Sequence, residues 1–380
     1  MSGDRGLSRS GEMLLALVRQ ALGNGNPDEA LLEGASPAQW QQTRHLACVQ
    51  GVSALAFHSV SSLAERMRPP RELYLGWAAN AHRITERYRR QQDAAARLAQ
   101  ILQEHSLRTM ILKGLGTAQY YPIPHLRECG DIDLWLFGQH ASGDRIAREL
   151  GLEIDRHNPK HSQFVFQGIL IENHRTFLDR TLYPMDRRLD RKLDALLRRY
   201  PCRPYELPGG GRVWFPPADF DALLLARHTA AHYPEGIRLR HLADWACFLS
   251  VEGRRLQATS FRRTLRKEGL ERFVGALSAA ACLYLGLSRN KIPFDLDRHR
   301  KDAGEMIAEI LNAEPAPLPE GNRIAALIFK TRRFFSRQKR YRMVYGRFSL
   351  PRRMLLSLRS HLRHPETFFS DRIKSERTPS

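Results

Sequence analysis

The chain has 380 residues, 42% of them hydrophobic and 26% charged, which excludes disorder along its length and is too long for one comfortable core. Sixty basic residues against forty acidic ones give a formal net charge of +20. Five scattered cysteines (Cys48, Cys129, Cys202, Cys247, Cys282) with no CxxC pair exclude a disulfide scaffold and point to a reducing compartment.

Residues 1–106 read as a helical region. Leu14, Leu15, Leu17, Val18 and Leu22 follow a 3.6-residue period that Gly23 and Asn24 stop. Arg19 interrupts this apolar run, so no signal peptide is read there. Pro69-Pro70 then opens a long amphipathic stretch from Glu72 to His105. The character changes at Leu107, and residues 107–178 read as a small α+β core. RTMILK is a short buried strand, followed by Gly114 and a helical stretch to about Tyr121 that Tyr121-Pro122-Ile123-Pro124 breaks. Asp131 to Leu136 alternates as a strand does, Ser142 and Asp144 are expected to cap a helix that Gly151 ends, and 163–167 with 169–175 form a hairpin around Gly168. Residues 179–312 return to helical periodicity. The longest stretch free of Asp, Glu, Lys, Arg and His, Phe273 to Ser288, is shorter than the roughly 20 residues a membrane-spanning helix needs, so a cytoplasmic location is expected.

Residues 313–380 are a Pro-rich loop and a basic tail. From Gly321 to Ser380 sixteen basic residues face three acidic ones, so this segment carries +13 of the +20, whereas 107–178 is neutral. Leu355, Leu358 and Leu362 fall at helical spacing among arginines, and Phe334, Phe335, Tyr341 and Tyr345 interleave with basic residues. Three readings stay open for residues 321–380: contact with an anionic membrane, contact with nucleic acid, or a helical flank packed on the core.

The chemistry concentrates in the neutral centre. Asp131 and Asp133, two apart on a predicted strand, project from one face and repel each other unless a cation lies between them. Hard oxygen ligands at this spacing suit Mg²⁺; the alternative is a solvated strand end. Glu172, inside the apolar run Leu170 to His174, is either a third carboxylate of the same site or a solvent-facing strand residue. Lys113-Gly114 stands where a strand becomes a helix, a place suited to phosphate, although the GxxxxGK[ST] loop is absent and a plain connecting turn is the alternative. His228 and His232 share a helix face without an HExxH motif, so they are read as packing near the site with His174, or contacting nucleotide, rather than holding zinc. Cys129 is read as filler, and Arg240 with Asp244 as an i, i+4 helix pair.

Ile111-Leu112-Lys113-Gly114, Tyr121-Pro122, Leu126 to Leu134 (LRECGDIDL) and Glu172-Asn173-His174-Arg175 together resemble a bacterial nucleotidyltransferase family of the DNA polymerase β-like superfamily, with the signature LKG…YP…LR..GDIDLLV…ElHw. The resemblance extends over roughly Met13 to Pro293, where Val213-Trp214-Phe215-Pro216 and the Leu224…His228…His232…Leu239…Asp244 pattern resemble the family's C-terminal helical part. It implies a small mixed-sheet polymerase β-like core between N- and C-terminal helical regions. It also implies an enzyme that moves a nucleoside monophosphate from an NTP to a hydroxyl of an unknown acceptor (small molecule, sugar or peptide) and releases pyrophosphate. Asp131, Asp133 and Glu172 would be catalytic and hold Mg²⁺ or Mn²⁺, while Lys113, Gly114, Arg127 and His174 would bind nucleotide; for Arg127 a structural salt bridge is the other reading. One departure stands out: Gly114-Leu115 replaces the superfamily's Gly-Ser, so no hydroxyl is available to phosphate there. The rival from another class is a non-catalytic nucleic-acid or membrane-surface binder built on a vestigial core.

Overall fold

The computed structural model describes residues 6–26, 29–181, 183–292, 295–312, 323–346, 350 and 354–355. The N-terminal helices are α1 (Arg9–Ala21), α2 (Glu29–Leu32), α3 (Pro37–Val49), α4 (Ser53–Ser62) and α5 (Arg71–Glu104). The centre runs β1 (Met110–Leu112), α6 (Lys113–Ala118), β2 (Ile132–Trp135), α7 (His140–Glu149), β3 (His161–Phe166) and β4 (Ile169–His174). After it come α8 (Pro184–Arg199), β5 (Arg203–Glu206), β6 (Arg212–Phe215), α9 (Ala218–His232), α10 (Leu239–Glu252), α11 (Ala258–Lys267), α12 (Glu271–Leu285), α13 (Arg300–Leu311), α14 (Arg323–Ser336) and α15 (Gln338–Tyr345).

Local chemistry sets these boundaries. The Ser8 hydroxyl accepts from the Gly11 amide at the start of α1, and Ser36 with Gln39 forms a capping box on α3. The apolar stripe of α1 is buried, with Met13, Leu14, Leu17 and Val18 at 0% exposure. The helix ends at Ala21, two residues before Gly23, whose φ of 74° suits a residue without a Cβ. Ser142 and Asp144 do not cap α7, which starts after Gln139. Asp144 instead turns inward to accept from the Ser162 hydroxyl and the Asn173 amide (2.8 Å), because a carboxylate facing β3 and β4 is better satisfied there than at an exposed helix end.

The sheet has six strands in the order β3-β4-β2-β1-β6-β5. β2 runs antiparallel to β1 and parallel to β4, and β3 and β4 are joined by the two-residue turn Gln167-Gly168, both with positive φ, as a type I′ hairpin requires. β5 and β6 come from the segment expected to be wholly helical; β6 adds alongside β1, pairing Met110 with Trp214. Val213 and Phe215 are buried on the sheet while Arg212 is exposed, an alternation too short to stand out from the helical segments around it.

Alternation gives the sheet two different faces. Ile132, Leu134, Leu136 and Ile171 pack with the small stretch Ala94 to Ala99 of α5 and with Ile146 of α7. The other face, marked by Met110, Leu112 and Trp135, meets Phe177, Leu189 and Leu223 of the C-terminal helices. The N- and C-terminal helices share that larger core. Asn24 donates to the Leu285 carbonyl at 2.8 Å and Gln50 to the Ile310 carbonyl at 2.7 Å. Among the described residues no helix is long and apolar enough to cross a membrane.

The described part of the tail packs on this core. Val344 is fully buried, Tyr345 stacks on Tyr183 with ring centroids 4.3 Å apart, and Arg227 lies over the Tyr345 ring. Arg337 pairs with Glu235, Lys339 with Glu305 and Arg340 with Glu309. Leu355 is exposed, and the expected helix positions Leu358 and Leu362 lie outside the described residues.

Candidate functional site

Strand register brings the predicted carboxylates together. β1 sets Leu112 beside Asp133, β4 sets Glu172 on the other side of Asp133, and β3 sets Gln163 beyond Glu172, so Asp133, Glu172 and Gln163 line one row across the sheet. His174 follows Glu172 by two residues and shares its face. His161 stands opposite His174 in the hairpin, with ring centroids 5.2 Å apart. The polar row sits on the face that looks toward the C-terminal helices.

The contacts are close. His174 Nε2 lies 2.8 Å from Asp133 Oδ1 and 3.5 Å from Glu172 Oε2, with the ring wholly out of solvent. Lys113 Nζ reaches Asp133 Oδ1 at 2.5 Å. The Gln163 amide donates to Glu172 Oε1 at 2.9 Å, and His161 Nε2 is 3.3 Å from Glu172 Oε2. Asp133, Glu172 and His174 each offer a ligand atom within 4.8 Å of the others. Asp131, one residue before β2, is outside that trio and half-buried.

The electrostatics separate the two aspartates. Burial pushes both carboxyls up, but Lys113 and His174 outweigh it at Asp133 and hold that group well below the usual carboxylate range. Asp131 stays raised, by burial and by the charges of Asp133 and Glu172. Glu172 is lowered by its hydrogen bond with His174 in spite of burial. Lys113, although buried, is raised by Asp133. At His161 burial dominates and brings the imidazole down to about 4.

His174 Nδ1 is 3.0 Å from the Thr176 carbonyl, which only accepts, so Nδ1 carries the proton that makes this bond. Nε2 faces two carboxylate oxygens and, carrying a proton of its own, donates to them; it gives that proton up to become a metal ligand. Such a cluster needs a positive charge between its members, and an oxygen–oxygen–nitrogen donor set is one that Mg²⁺ or Mn²⁺ accepts.

The Lys113-Gly114 turn has its own constraint. Both residues have positive φ, 33° and 31°, and a Cβ on Gly114 would meet the Asp131 carbonyl at 3.3 Å. Gly116 follows with a Cβ position only 2.7 Å from the Ile111 carbonyl. Glycine at these two places lets β1 turn into α6 directly against the start of β2.

Arg127 and Asp244 form a buried two-point bridge, Nε to Oδ1 at 2.8 Å and Nη2 to Oδ2 at 2.9 Å, and the Tyr121 hydroxyl donates to the same Oδ1 at 2.7 Å. The expected pairing of Asp244 with Arg240 gives way to this one, because a buried carboxylate is better matched by the planar fork of Arg127. Arg240 donates instead to the Glu128 carbonyl at 3.0 Å. Cys129 is buried beside Arg127 Nη1, at 3.1 Å. The Tyr121-Pro122 and LRECGD segments are thus braced against α10 just ahead of Asp131.

Sequence reasoning passed over Lys160, His161, Gln163 and His241. For His161 and Gln163 a signal existed: the alternation of β3 puts positions 161 and 163 on the same face as whatever pairs with Glu172, whereas Lys160, just before the strand, carries none. His241 shows only in three dimensions, where α9 and α10 bring His228, His232 and His241 together with ring centroids 4.7, 5.8 and 6.2 Å apart.

No curated protein and no solved structure matches the chain. One family does, described as uncharacterised nucleotidyltransferase, over residues 36–286, which takes in every residue of the cluster and the helices from α3 to α12, with α1, α2 and α13 outside it. With the mixed sheet and its buried acidic and histidine group standing inside that match, the chain belongs to this nucleotidyltransferase family and is a transferase of phosphorus-containing groups.

Proposed function

We propose that the protein transfers a nucleoside monophosphate from an NTP to a hydroxyl of an acceptor (a small molecule, sugar or peptide) and releases pyrophosphate, with a divalent cation, Mg²⁺ or Mn²⁺, as cofactor. The observation that carries this reading is the convergence of Asp133, Glu172 and His174 on ligand atoms within 4.8 Å of one another, beside Asp131 and inside a nucleotidyltransferase match. When bound, such a cation supplies charge neutralisation at the α-phosphate and at the departing pyrophosphate, and lines up an acceptor hydroxyl for in-line attack. Asp133, Glu172 and His174 would hold it, with Asp131 free to take a second position or to orient the acceptor hydroxyl.

The remaining residues preorganise these groups. Lys113 keeps Asp133 ionised in a buried setting. The Thr176 carbonyl fixes the His174 ring, so Nε2 points at the carboxylates without a search of rotamers. The Arg127–Asp244–Tyr121 bridge holds the segment entering β2, a positioning role rather than a contact with nucleotide.

The test is to incubate the full chain with Mg²⁺, cell extract as acceptor source, and each NTP labelled at either the α- or the γ-phosphorus. The α label is expected in an acceptor and the γ label in pyrophosphate. Transfer of the γ label to an acceptor would mean phosphoryl transfer and contradict the proposal.

A further inference from the structure

The two cationic groups that the sequence offers to phosphate are already engaged. Lys113 Nζ is on Asp133 at 2.5 Å, and the Arg127 fork is on Asp244. A nucleotide's terminal phosphates carry most of its negative charge and need another partner.

Lys160 has the properties of one. Its backbone carbonyl accepts from the amides of Arg175 (2.9 Å) and Thr176 (3.2 Å), which pins the residue against the end of β4 next to His174. The side chain is half-buried, and among the described residues its ammonium makes no hydrogen bond or ion pair. Burial and the charge of Lys113 lower its pKa, while Asp133, Glu172 and Asp131 act on it in the opposite sense. A lysine held near an acidic cluster yet paired with none of its members is poorly solvated and poorly compensated; an incoming anion corrects both.

The histidine cluster lies within reach of the same charges. His228 and His232 are on α9 and His241 on α10. Burial and then Lys113 lower His228 and His232, and Lys160 acts on His232 as well. His241, lowered to about 4 chiefly by burial, accepts from the Arg238 amide at Nδ1 (3.0 Å), which leaves its N–H on Nε2. The rings of His228 and His232 have no hydrogen-bond partner among the described residues. Three neutral imidazoles and an unpaired ammonium whose charge reaches His232 give N–H donors and positive charge, and the carboxylates that act on these rings, Asp133 at His228 and Asp244 at His241, are already engaged by Lys113 and Arg127.

We infer that Lys160, with His228, His232 and His241, is the cradle for the terminal phosphates of the nucleotide. This rests on the nucleotidyltransferase reading above, and it moves the phosphate contacts from Arg127 to the start of β3 and the paired helices α9 and α10. Lys160 contributes the charge, and the imidazoles contribute directional donors.

The experiment is calorimetric binding of inorganic tripolyphosphate to the full chain, with and without Mn²⁺, for the wild type, Lys160→Met, Lys160→Arg and His232→Gln. Thermal melting and Mn²⁺ binding by paramagnetic resonance run in parallel. Lys160→Met is expected to weaken tripolyphosphate at least tenfold, His232→Gln to weaken it severalfold, and Lys160→Arg to restore most of the loss, with melting and Mn²⁺ binding unchanged. Tripolyphosphate binding within twofold of wild type in both Lys160→Met and His232→Gln, or no tripolyphosphate binding by the wild type, would overturn the cradle. The nucleotidyltransferase reading fails separately: tripolyphosphate binding that depends on Lys160, together with no α-label transfer, keeps the cradle and removes the reaction.

Discussion

The Lys113 ammonium lies 2.5 Å from Asp133 Oδ1, with both side chains almost out of solvent, so the lysine that follows β1 serves the carboxylate of β2. Removing one partner of a buried pair strands the other's charge and costs about 3–5 kcal/mol. Lys113→Met is therefore expected to lower the melting temperature clearly. Because a divalent ion replaces the lost compensation, Mn²⁺ should recover more of the melting temperature in the variant than it adds to the wild type. Melting curves with and without Mn²⁺ check this, and an equal metal response in both proteins contradicts it.

Arg127 and Asp244 belong to segments far apart in sequence, yet their bridge locks the loop that delivers Asp131. Arg127→Met and Asp244→Leu should each destabilise by about 3–5 kcal/mol, and the double variant by clearly less than the sum, because it leaves no unpaired charge. Urea unfolding of the four proteins measures the coupling; strict additivity would show that the bridge is not a unit.

Gly114 has no room to spare. Ala at this position adds a Cβ 3.3 Å from the Asp131 carbonyl, at a φ of 31°. The strain is worth about 1–2 kcal/mol of stability. The displacement of Asp131 should matter more, at about a hundredfold in transfer rate, since misplacement by an ångström near the reacting groups has that scale. Rates and urea midpoints measured together separate the two effects.

Asp221 is buried beneath Tyr120, which donates to it, and burial pushes its carboxyl up to about 7 in spite of that bond. The unfolded value is about 3.9. Between these values the folded state binds the proton more tightly, so the stability it confers is full below the unfolded value and is lost as pH rises toward about 7. Asp221→Asn removes the titration. The urea midpoint of the variant relative to wild type should rise steadily from about pH 4 to about pH 7; a constant difference contradicts the assignment.

The local periodicities reveal α1, α5 and the β3–β4 hairpin, because an apolar stripe or a two-residue glycine turn speaks for itself. They also isolate Asp131, Asp133 and Glu172, since charges inside apolar strands are conspicuous. Strands β5 and β6 stay hidden: these four-residue elements gain their identity from pairing, β6 with β1 and β5 with β6, and the contact with β1 is one that no local pattern carries. The partners of Lys113 and Arg127 stay hidden for the same reason. A lysine before a glycine at a strand end looks the same whether it faces phosphate or a neighbouring carboxylate, and only the register Leu112↔Asp133 decides that its nearest anion is Asp133. Lys160 is the converse case, ordinary in sequence and conspicuous only once its backbone is seen pinned at the end of β4 next to His174 with no partner for its ammonium among the described residues.

The Asp133–Glu172–His174 cluster is proposed to carry nucleotidyl transfer. The most direct measurement is transfer of α-labelled NTP to extract acceptors in Mg²⁺, comparing wild type with Asp133→Asn/Glu172→Gln at matched folded concentration. Label transfer that falls by at least a thousandfold in the double variant is the predicted result. Equal labelling by the two proteins would contradict it.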